Sequence, residues 1–243
     1  MRMIHLRRLI FALQKGFINP QKTKEHSMKT NVFNLIILDA SGSMMTIKQS
    51  AIDSVNETLQ TIRAAQSKHA DQQHFVTLVT FNDVVKTISE CAPAEEVAEL
   101  TADTYLPSCC TALYDAMGQS LTTLRPHVAE ADRVLVTIVT DGYENASREY
   151  SGQAVKALVD ELKAKGWVFA YMGANQDVEA VAATMSITNA MKFEANDHGY
   201  RKMSMKANKC RDRLYESIAC YEFKGEEANF NFFADDDEPS QEQ

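Results

Sequence analysis

Three polar motifs hold the side chains of this chain that are best suited to do chemistry together. Asp39-Ala40-Ser41-Gly42-Ser43 follows a nearly all-apolar run, Thr111 opens a helix-like segment, and Thr140-Asp141-Gly142 follows a second apolar run. Their oxygen-bearing candidates are Asp39, Ser41, Ser43, Thr111 and Asp141. Two carboxylates and three hydroxyls form an all-oxygen set, and hard cations such as Mg²⁺ take oxygen ligands. The motifs therefore predict a site for a divalent cation.

The charge of this set bears on what the cation does. Two carboxylates neutralise a dication without surrounding it with excess negative charge, whereas four acids would hold calcium as a closed structural ion. Mg²⁺ prefers an octahedral set in which some positions are left to water or a substrate. The cation therefore stays electrophilic enough to accept a carboxylate from outside the chain.

The elements that position these motifs alternate between strand-like and helix-like segments from residue 32 onward. Predicted strands cover 32–38, 74–81, 84–89, 133–140, 167–172 and 190–194, and predicted helices cover 47–69, 112–124, 153–165 and 177–185, followed by a long amphipathic helix through residue 221. Such alternation is typical of an α/β fold with a doubly wound, mostly parallel sheet covered on both faces. The turn at Asn82-Asp83 predicts a hairpin and hence one antiparallel edge strand.

Both candidate carboxylates stand where this architecture places functional sites. Asp39 and Asp141 each follow the last residue of a predicted buried strand. In doubly wound sheets, ligands bind at the carboxyl ends of the strands, where the strand order reverses. The position of the two aspartates is the strongest physical indication of function in the sequence.

The ordered motifs resemble the metal-ion-dependent adhesion site (MIDAS) of von Willebrand factor type A (VWA) domains. The resemblance covers about residues 31–194, and Gly173-Ala174-Asn175-Gln176-Asp177 also resembles small stand-alone intracellular bacterial members. It implies a Rossmann-like domain that binds Mg²⁺ or Mn²⁺ and uses it to grip a Glu or Asp carboxylate of a protein partner. It further implies that Ser41, Ser43 and Thr111 coordinate directly or through water, with Asp39 and Asp141 acting mainly through water.

One departure from the family pattern precedes the threonine. Many members have a glycine-rich stretch where this chain has Cys109-Cys110. The bulkier residues narrow the approach to the metal or make it sensitive to oxidation. We expect two buried spectator thiols, and the alternative is a vicinal disulfide that acts as a redox gate.

Two other functions stay open at this point. A Mg²⁺-dependent phosphatase or phosphoryl-transfer enzyme is one, but haloacid-dehalogenase-like phosphatases need a second aspartate where this chain has Ser41. Neither GxGxxG nor GxxxxGK[ST] occurs, so the common nucleotide sites lack support. The other is a structural domain with a vestigial site. We predict a binding module that is not an enzyme.

Composition and charge limit the partners. The chain has 243 residues with 25 Lys+Arg and 33 Asp+Glu, a net charge of −8. Residues 1–28 carry six basic residues and one acidic residue, so the remainder has 25 − 6 = 19 basic and 33 − 1 = 32 acidic residues. This excess of acidic residues after position 28 argues against sequence-independent binding of nucleic acid.

No run of apolar residues in the sequence approaches the roughly 20 residues of a transmembrane helix.

The same inspection predicts the domain organisation and the compartment. We expect a basic leader or mobile arm over residues 1–28, one VWA domain over 29–233 that includes the C-terminal amphipathic helix, and an acidic disordered tail over 234–243. The five cysteines follow no disulfide or zinc spacing, which favours reduced thiols in a cytoplasmic protein.

Overall fold

A computed structural model gives the structure of residues 29–220 and 230–234. The predicted arm over 1–28 and residues 235–243 of the predicted tail lie outside these described residues. The strands are β1 (Thr30–Asp39), β2 (Gln72–Phe81), β3 (Val85–Pro93), β4 (Arg133–Thr140), β5 (Val168–Gly173) and β6 (Ala190–Lys192). The helices are α1 (Lys48–Lys68), α2 (Leu113–Leu124), α3 (Gly152–Lys163), α4 (Val178–Thr184) and α5 (Asp197–Ala219), with 3₁₀ helices at Gly42–Ile47 and Arg125–His127.

The strands form one sheet in the order β3-β2-β1-β4-β5-β6. All neighbouring pairs are parallel except β2 with β3, which is antiparallel. The predicted doubly wound, mostly parallel sheet with one antiparallel edge strand is therefore confirmed. The edge strand β3 runs to Pro93 rather than to Ser89, with irregular register against β2. The other edge strand, β6, ends at Lys192 rather than at Glu194.

The two faces of the central strand explain its uniformly apolar sequence. Leu35 and Ile37 pack with residues of α2, α3 and α4, whereas Ile36 and Leu38 pack with residues of α1 and α5 on the opposite face. A strand that is covered on both sides reads as a continuous hydrophobic run rather than an alternating one. The apolar run ends at Asp39, the last residue of β1, so this carboxylate lies at the carboxyl end of the strand.

Helix α5 is attached to the sheet by buried polar contacts as well as by apolar packing. The Tyr215 hydroxyl donates to Oδ1 of Asn34, and Nε2 of Gln72 donates to the main-chain oxygen of Tyr215 over 2.8 Å. Nη2 of Arg211 donates to Oγ1 of Thr137 over 3.0 Å. Arg211 is only 1% exposed, and its Nε and Nη1 atoms have no hydrogen-bond partner among residues 29–220 and 230–234. Helix α5 therefore buries a guanidinium group for which the described structure provides only some of the possible hydrogen bonds.

Candidate metal centre

The candidate centre lies where the direction of strand winding changes. β1 and β4 are adjacent and parallel, with Leu38 paired to Val139. From β1 the chain continues to β2 on one side, and from β4 it continues to β5 on the other side. The crossover helices α1 and α3 consequently cover opposite faces. This arrangement opens a crevice at the carboxyl ends of the two strands, and the loops after Asp39 and Thr140 form it.

Asp39 is the most deeply buried member of the set, with no exposed surface. Its Oδ1 accepts a hydrogen bond from the Ser41 amide over 2.6 Å, and its Oδ2 accepts one from Oγ1 of Thr140 over 2.5 Å. Burial raises its pKa to about 6, against the lowering effect of these hydrogen bonds. A carboxylate that is desolvated in this way gains from a nearby cation.

Two serine hydroxyls link this carboxylate to the second one. Oγ of Ser41 lies 3.2 Å from Oγ of Ser43, and Oγ of Ser43 donates to Oδ1 of Asp141 over 2.5 Å. Burial raises the pKa of Asp141 as well. In the described parts of the chain, the ion pairs between side chains include neither Asp39 nor Asp141. Nothing basic in that part of the chain neutralises the two acids by an ion pair.

Thr111 completes the set, as the surroundings of Gly142 show. A Cβ placed on Gly142 would lie 3.2 Å from Oγ1 of Thr111, 3.8 Å from Oγ of Ser43 and 3.9 Å from Oγ of Ser41. The three hydroxyls therefore face one small space that only glycine leaves open. The structure brings all five predicted side chains to this place.

The chemistry of the donors fits Mg²⁺ or Mn²⁺. Every candidate ligand is an oxygen, which suits hard cations rather than those that prefer thiolate or imidazole. Within residues 29–220 and 230–234, no group of three or more His, Cys, Asp or Glu side chains is arranged to hold a metal. The candidate centre does not depend on such a group, because hydroxyls supply three of its five oxygen-bearing side chains.

A turn that the sequence analysis did not assign to the site holds Thr111 in place. The Thr111 amide donates to Oδ1 of Asn145 over 3.0 Å, and the Asn145 amide donates back to the Thr111 main-chain oxygen over 3.0 Å. Glu144 accepts from the Tyr114 amide over 3.0 Å, and the Ser147 hydroxyl accepts from the Asp115 amide over 3.0 Å. These groups cap the start of α2, whose own N-cap residue, Ala112, has no side chain that can do so.

Replacement of Asn145 by Ala is expected to weaken metal binding by about tenfold, or about 1.4 kcal/mol, the size of one lost hydrogen bond. The reason is that the Thr111 backbone would lose one of its two contacts with the turn. Calorimetric titration with Mn²⁺ measures the effect, and Gln60→Ala, on an exposed face of α1, serves as the control. Unchanged affinity in Asn145→Ala would show that the turn holds Thr111 without this amide.

The loop before Thr111 is tied to the first motif. The Tyr105 hydroxyl donates to the main-chain oxygen of Asp39, and the Ser108 amide donates to that of Ala40 over 2.8 Å. The Gly42 amide donates to the main-chain oxygen of Cys109 over 3.1 Å. Through these contacts the backbone of the loop lies beside the residues after β1.

The expectation of buried thiols at Cys109 and Cys110 is wrong, because both cysteines are exposed and free. Cys109 has a φ of 63°, and its main-chain oxygen faces Gly42 while its side chain lies at the surface. A hydrogen bond with Asp83 raises the pKa of the Cys109 thiol. A raised pKa lowers the share of the reactive thiolate, which disfavours the alternative of a redox gate.

The Asn175-Gln176-Asp177 segment borders the site without joining the oxygen set. Nδ2 of Asn175 donates to the main-chain oxygen of Asp141 over 3.2 Å. Nε2 of Gln176 donates to the Tyr171 hydroxyl over 2.8 Å, and Asp177 caps α4 by accepting from the Ala180 amide over 3.2 Å. Asn175 therefore positions the backbone of Asp141, and Asp177 is the N-cap of α4.

Comparisons of the whole chain with known proteins found similarity in structure only. No family model matches the sequence, and no curated protein matches it. A mutant of the PilB minor pilin from Streptococcus sanguinis has a TM-score of 0.56 at 12% identity. The matched region covers 79% of this chain and 64% of the pilin chain. Proximal thread matrix protein 1 from the mussel byssus, solved with a zinc-occupied MIDAS motif, has a TM-score of 0.52 at 16% identity, covering 76% of this chain and 46% of its own.

A third similar structure is itself a von Willebrand factor type A protein. The von Willebrand factor type A protein from Catenulispora acidiphila has a TM-score of 0.50 at 13% identity, covering 73% of this chain and 42% of its own. The chain has a VWA-like fold. It spans between 42% and 64% of the lengths of these three structures, and at such low identities the likeness concerns the fold alone. No helix in the described part of the chain is long and apolar enough to cross a membrane.

Proposed function

We propose that this chain is a metal-dependent protein-binding module that grips an acidic residue of a partner through Mg²⁺ or Mn²⁺. The observation that carries the proposal is the convergence of three hydroxyls on the space beside Gly142, with two buried carboxylates next to them. Asp39, Ser41, Ser43, Thr111 and Asp141 are the residues that would hold the metal. When bound, the metal supplies a Lewis-acidic position that a carboxylate oxygen can occupy.

The hydrogen bonds of the site support different roles for its carboxylates and its hydroxyls. Both oxygens of Asp39 already accept hydrogen bonds within the chain, so this carboxylate acts mainly by its charge and by orienting Ser41. Asp141 orients the Ser43 hydroxyl in the same way. The Ser41, Ser43 and Thr111 hydroxyls carry no charge and leave the site neutral once a dication is present. A neutral site keeps its affinity for an outside carboxylate, because no excess negative charge repels it.

The structural comparison supports a divalent cation at this place. The mussel byssus protein is described with zinc in its MIDAS motif, and it shares the fold of this chain at 16% identity. In the present chain the oxygen set lies in the crevice between the first strand and its neighbour β4. The comparison does not identify the metal of this chain, and the oxygen donors favour Mg²⁺ or Mn²⁺ over zinc.

The proposal is one of binding rather than catalysis. Ser41 stands where a haloacid-dehalogenase-like phosphatase would need its second aspartate, so the general acid of such an enzyme is missing. We also propose a cytoplasmic location, which is supported by five cysteines that follow no disulfide or zinc spacing. The 19 basic and 32 acidic residues after position 28 favour a protein partner over nucleic acid.

An affinity capture from cell extract, with and without EDTA, tests the proposed function. The full chain with Mn²⁺ is expected to retain a protein that EDTA releases, and Asp39→Asn is expected to retain none. Glu130→Gln, which removes an exposed carboxylate just before the start of β4 at the opposite edge of the sheet, is the control and should behave as wild type. A captured set that is identical with EDTA, or with Asp39→Asn, would contradict the proposal.

Metal affinity is expected to fall as the pH falls below about 6, the pKa of the buried Asp39 carboxyl. Protons compete with the metal for the deprotonated site, so at one unit below that pKa the affinity should be about tenfold weaker. Calorimetric titrations with Mn²⁺ between pH 5 and pH 8 measure it, with the plateau expected above roughly pH 7. An affinity that is flat down to pH 5 would contradict a role for Asp39 in the site.

A further inference from the structure

Large apolar side chains are exposed at the loops that build the candidate metal centre. In the part of the chain that the structure describes, five large apolar side chains are well exposed. Four belong to these loops: Met45 at 54%, Val84 at 64%, Leu106 at 62% and Tyr143 at 57%. The fifth is Met205, 71% exposed on α5. Exposed apolar groups that cluster at one place mark interaction surfaces.

Two of the four, Met45 and Tyr143, each come two residues after a candidate ligand. Met45 comes two residues after Ser43 in the 3₁₀ helix that leaves β1, whereas the neighbouring Met44 is fully buried. Tyr143 follows Gly142, the residue beside which the three hydroxyls converge. These side chains therefore border the site on the sides of the first and third motifs.

The other two lie in loops that are hydrogen-bonded to the site. Leu106 stands between Tyr105 and Ser108, which bond to the main chain of Asp39 and Ala40. Val84 lies in the β2–β3 turn beside Asn82, whose Nδ2 donates to the Ser108 hydroxyl over 3.1 Å. All four apolar side chains consequently come from loops that are joined at the carboxyl edge of the sheet.

We propose that the partner's acidic residue is carried on a segment with apolar neighbours, and that Met45, Val84, Leu106 and Tyr143 contact those neighbours. The proposal rests on the metal-dependent function proposed above and names the chemistry of its partner. The carboxylate would occupy the metal, and burial of the flanking apolar groups would add affinity, because removal of apolar surface from water is favourable. We call these four residues the apolar rim.

Charge favours a single acid over an acidic run in the partner. Residues 29–243 carry 19 basic and 32 acidic residues, so further acids beside the gripped one would be repelled. The four exposed side chains named above are apolar and offer no ion pair to additional carboxylates. One acid flanked by apolar residues satisfies both the metal and the rim.

An open depression beside the site gives such a segment room to continue. Tyr143, Asn175, Glu179 and Lys192 are among the residues that line it. Asn175 also bonds to the main-chain oxygen of Asp141, so the depression adjoins the metal centre directly. Tyr143 belongs both to this depression and to the apolar rim, and connects the two surfaces.

A displayed library of random peptides with a fixed central glutamate tests the inference. The full-length protein is loaded with Mn²⁺, and bound phage are eluted with EDTA. We expect the eluted peptides to be enriched in Leu, Ile, Phe and Met beside the glutamate. The double variant Leu106→Ser/Tyr143→Ser should bind the selected peptide about tenfold more weakly or worse, while its Mn²⁺ affinity in calorimetry stays at the wild-type value. Met205→Ser should match wild type in both measurements.

The remaining outcomes separate this inference from the function on which it rests. Enrichment of polar, basic or acidic flanks overturns it, as does wild-type peptide affinity in the double variant. It is also overturned if Mn²⁺ binds and EDTA elutes no enriched peptide, or if the apolar peptides stay bound in EDTA. Absence of Mn²⁺ binding to the wild-type protein contradicts the proposed function itself.

Discussion

Replacement of Asp39 by Asn is expected to abolish the stabilisation of this protein by Mg²⁺ or Mn²⁺ while the fold survives. For wild type, metal at a hundred times its dissociation constant should add about 2.7 kcal/mol to the free energy of unfolding. The variant should show none of this gain, because the site loses half of its carboxylate charge. Thermal unfolding with and without metal measures the difference. Glu130→Gln should keep the full gain.

The same variant is expected to stabilise the metal-free protein at neutral pH. The pKa of Asp39 is about 6 in the folded chain and 3.8 in the ordinary carboxyl, so the folded state binds the proton more tightly. The protonated Asp39 carboxyl stabilises the folded state fully below about pH 4. This stabilisation, about 3 kcal/mol, is lost as the pH rises through about 6. Asparagine does not ionise, so the variant does not lose this stability at neutral pH. Its side-chain oxygen can accept the hydrogen bond that the Ser41 amide donates to Asp39.

The hydrogen-bond pattern explains why Asn fits this position. The Thr140 hydroxyl, which donates to Oδ2 of Asp39, has Gly142 as a second acceptor at 3.2 Å and can accept from the new amide. A metal-free Asp39→Asn protein that is less stable than wild type at pH 7 would mean that the carboxylate is already neutralised. Metal-dependent stabilisation that persists in this variant would exclude Asp39 from the site.

Replacement of Arg211 by Met is expected to raise the free energy of unfolding by about 2 kcal/mol. The guanidinium is 1% exposed, yet two of its nitrogens have no hydrogen-bond partner in the part of the chain that the structure describes. Its desolvation is therefore poorly compensated, and an apolar side chain of similar length removes the penalty while filling the space. Urea unfolding followed by circular dichroism gives the change.

Arg213 on the same helix provides a control of opposite sign. It donates to the main-chain oxygens of Asn231 over 3.2 Å and Phe232 over 2.7 Å, and to that of Ala234. Arg213→Met should lower the free energy of unfolding by about 1 to 2 kcal/mol, since these acceptors lose a charged donor. If Arg211→Met also destabilises the protein, the buried guanidinium has a compensating interaction beyond its bond to Thr137.

The sequence was sufficient to predict the sheet and the meeting of the five oxygen-bearing residues. Apolar runs that end at Asp39 and Asp141 locate two strand ends, and parallel strands bring their carboxyl ends to one edge. Helical spacing of apolar residues located α1 and α2, which follow the first motif and Thr111. These features are local in the chain, so their pattern is visible without knowledge of the fold.

The support of Thr111 could not be predicted in the same way. Asn145 and Glu144 reach it across more than thirty residues of sequence, and their contacts depend on the path of a loop. One signal was available: Ala112 leaves α2 without a capping side chain of its own, so a group from elsewhere had to supply the cap. The exposure of Cys109 and Cys110 likewise depends on the backbone direction of a loop that has no periodic pattern.

The packing of Phe232 gives the domain two functionally different ends. Phe232 contacts Leu135 and Val168 near the starts of β4 and β5, and Asn31 near the start of β1 bonds to Asp132 over 3.0 Å. The eight residues of β4 span about 26 Å between this edge and the metal centre. A bead, a dye or a fused protein attached near Thr30 or Phe232 would thus leave the recognition face pointing outward. The edge near Thr30 and Phe232 is therefore where the domain can be tethered without covering the proposed metal centre.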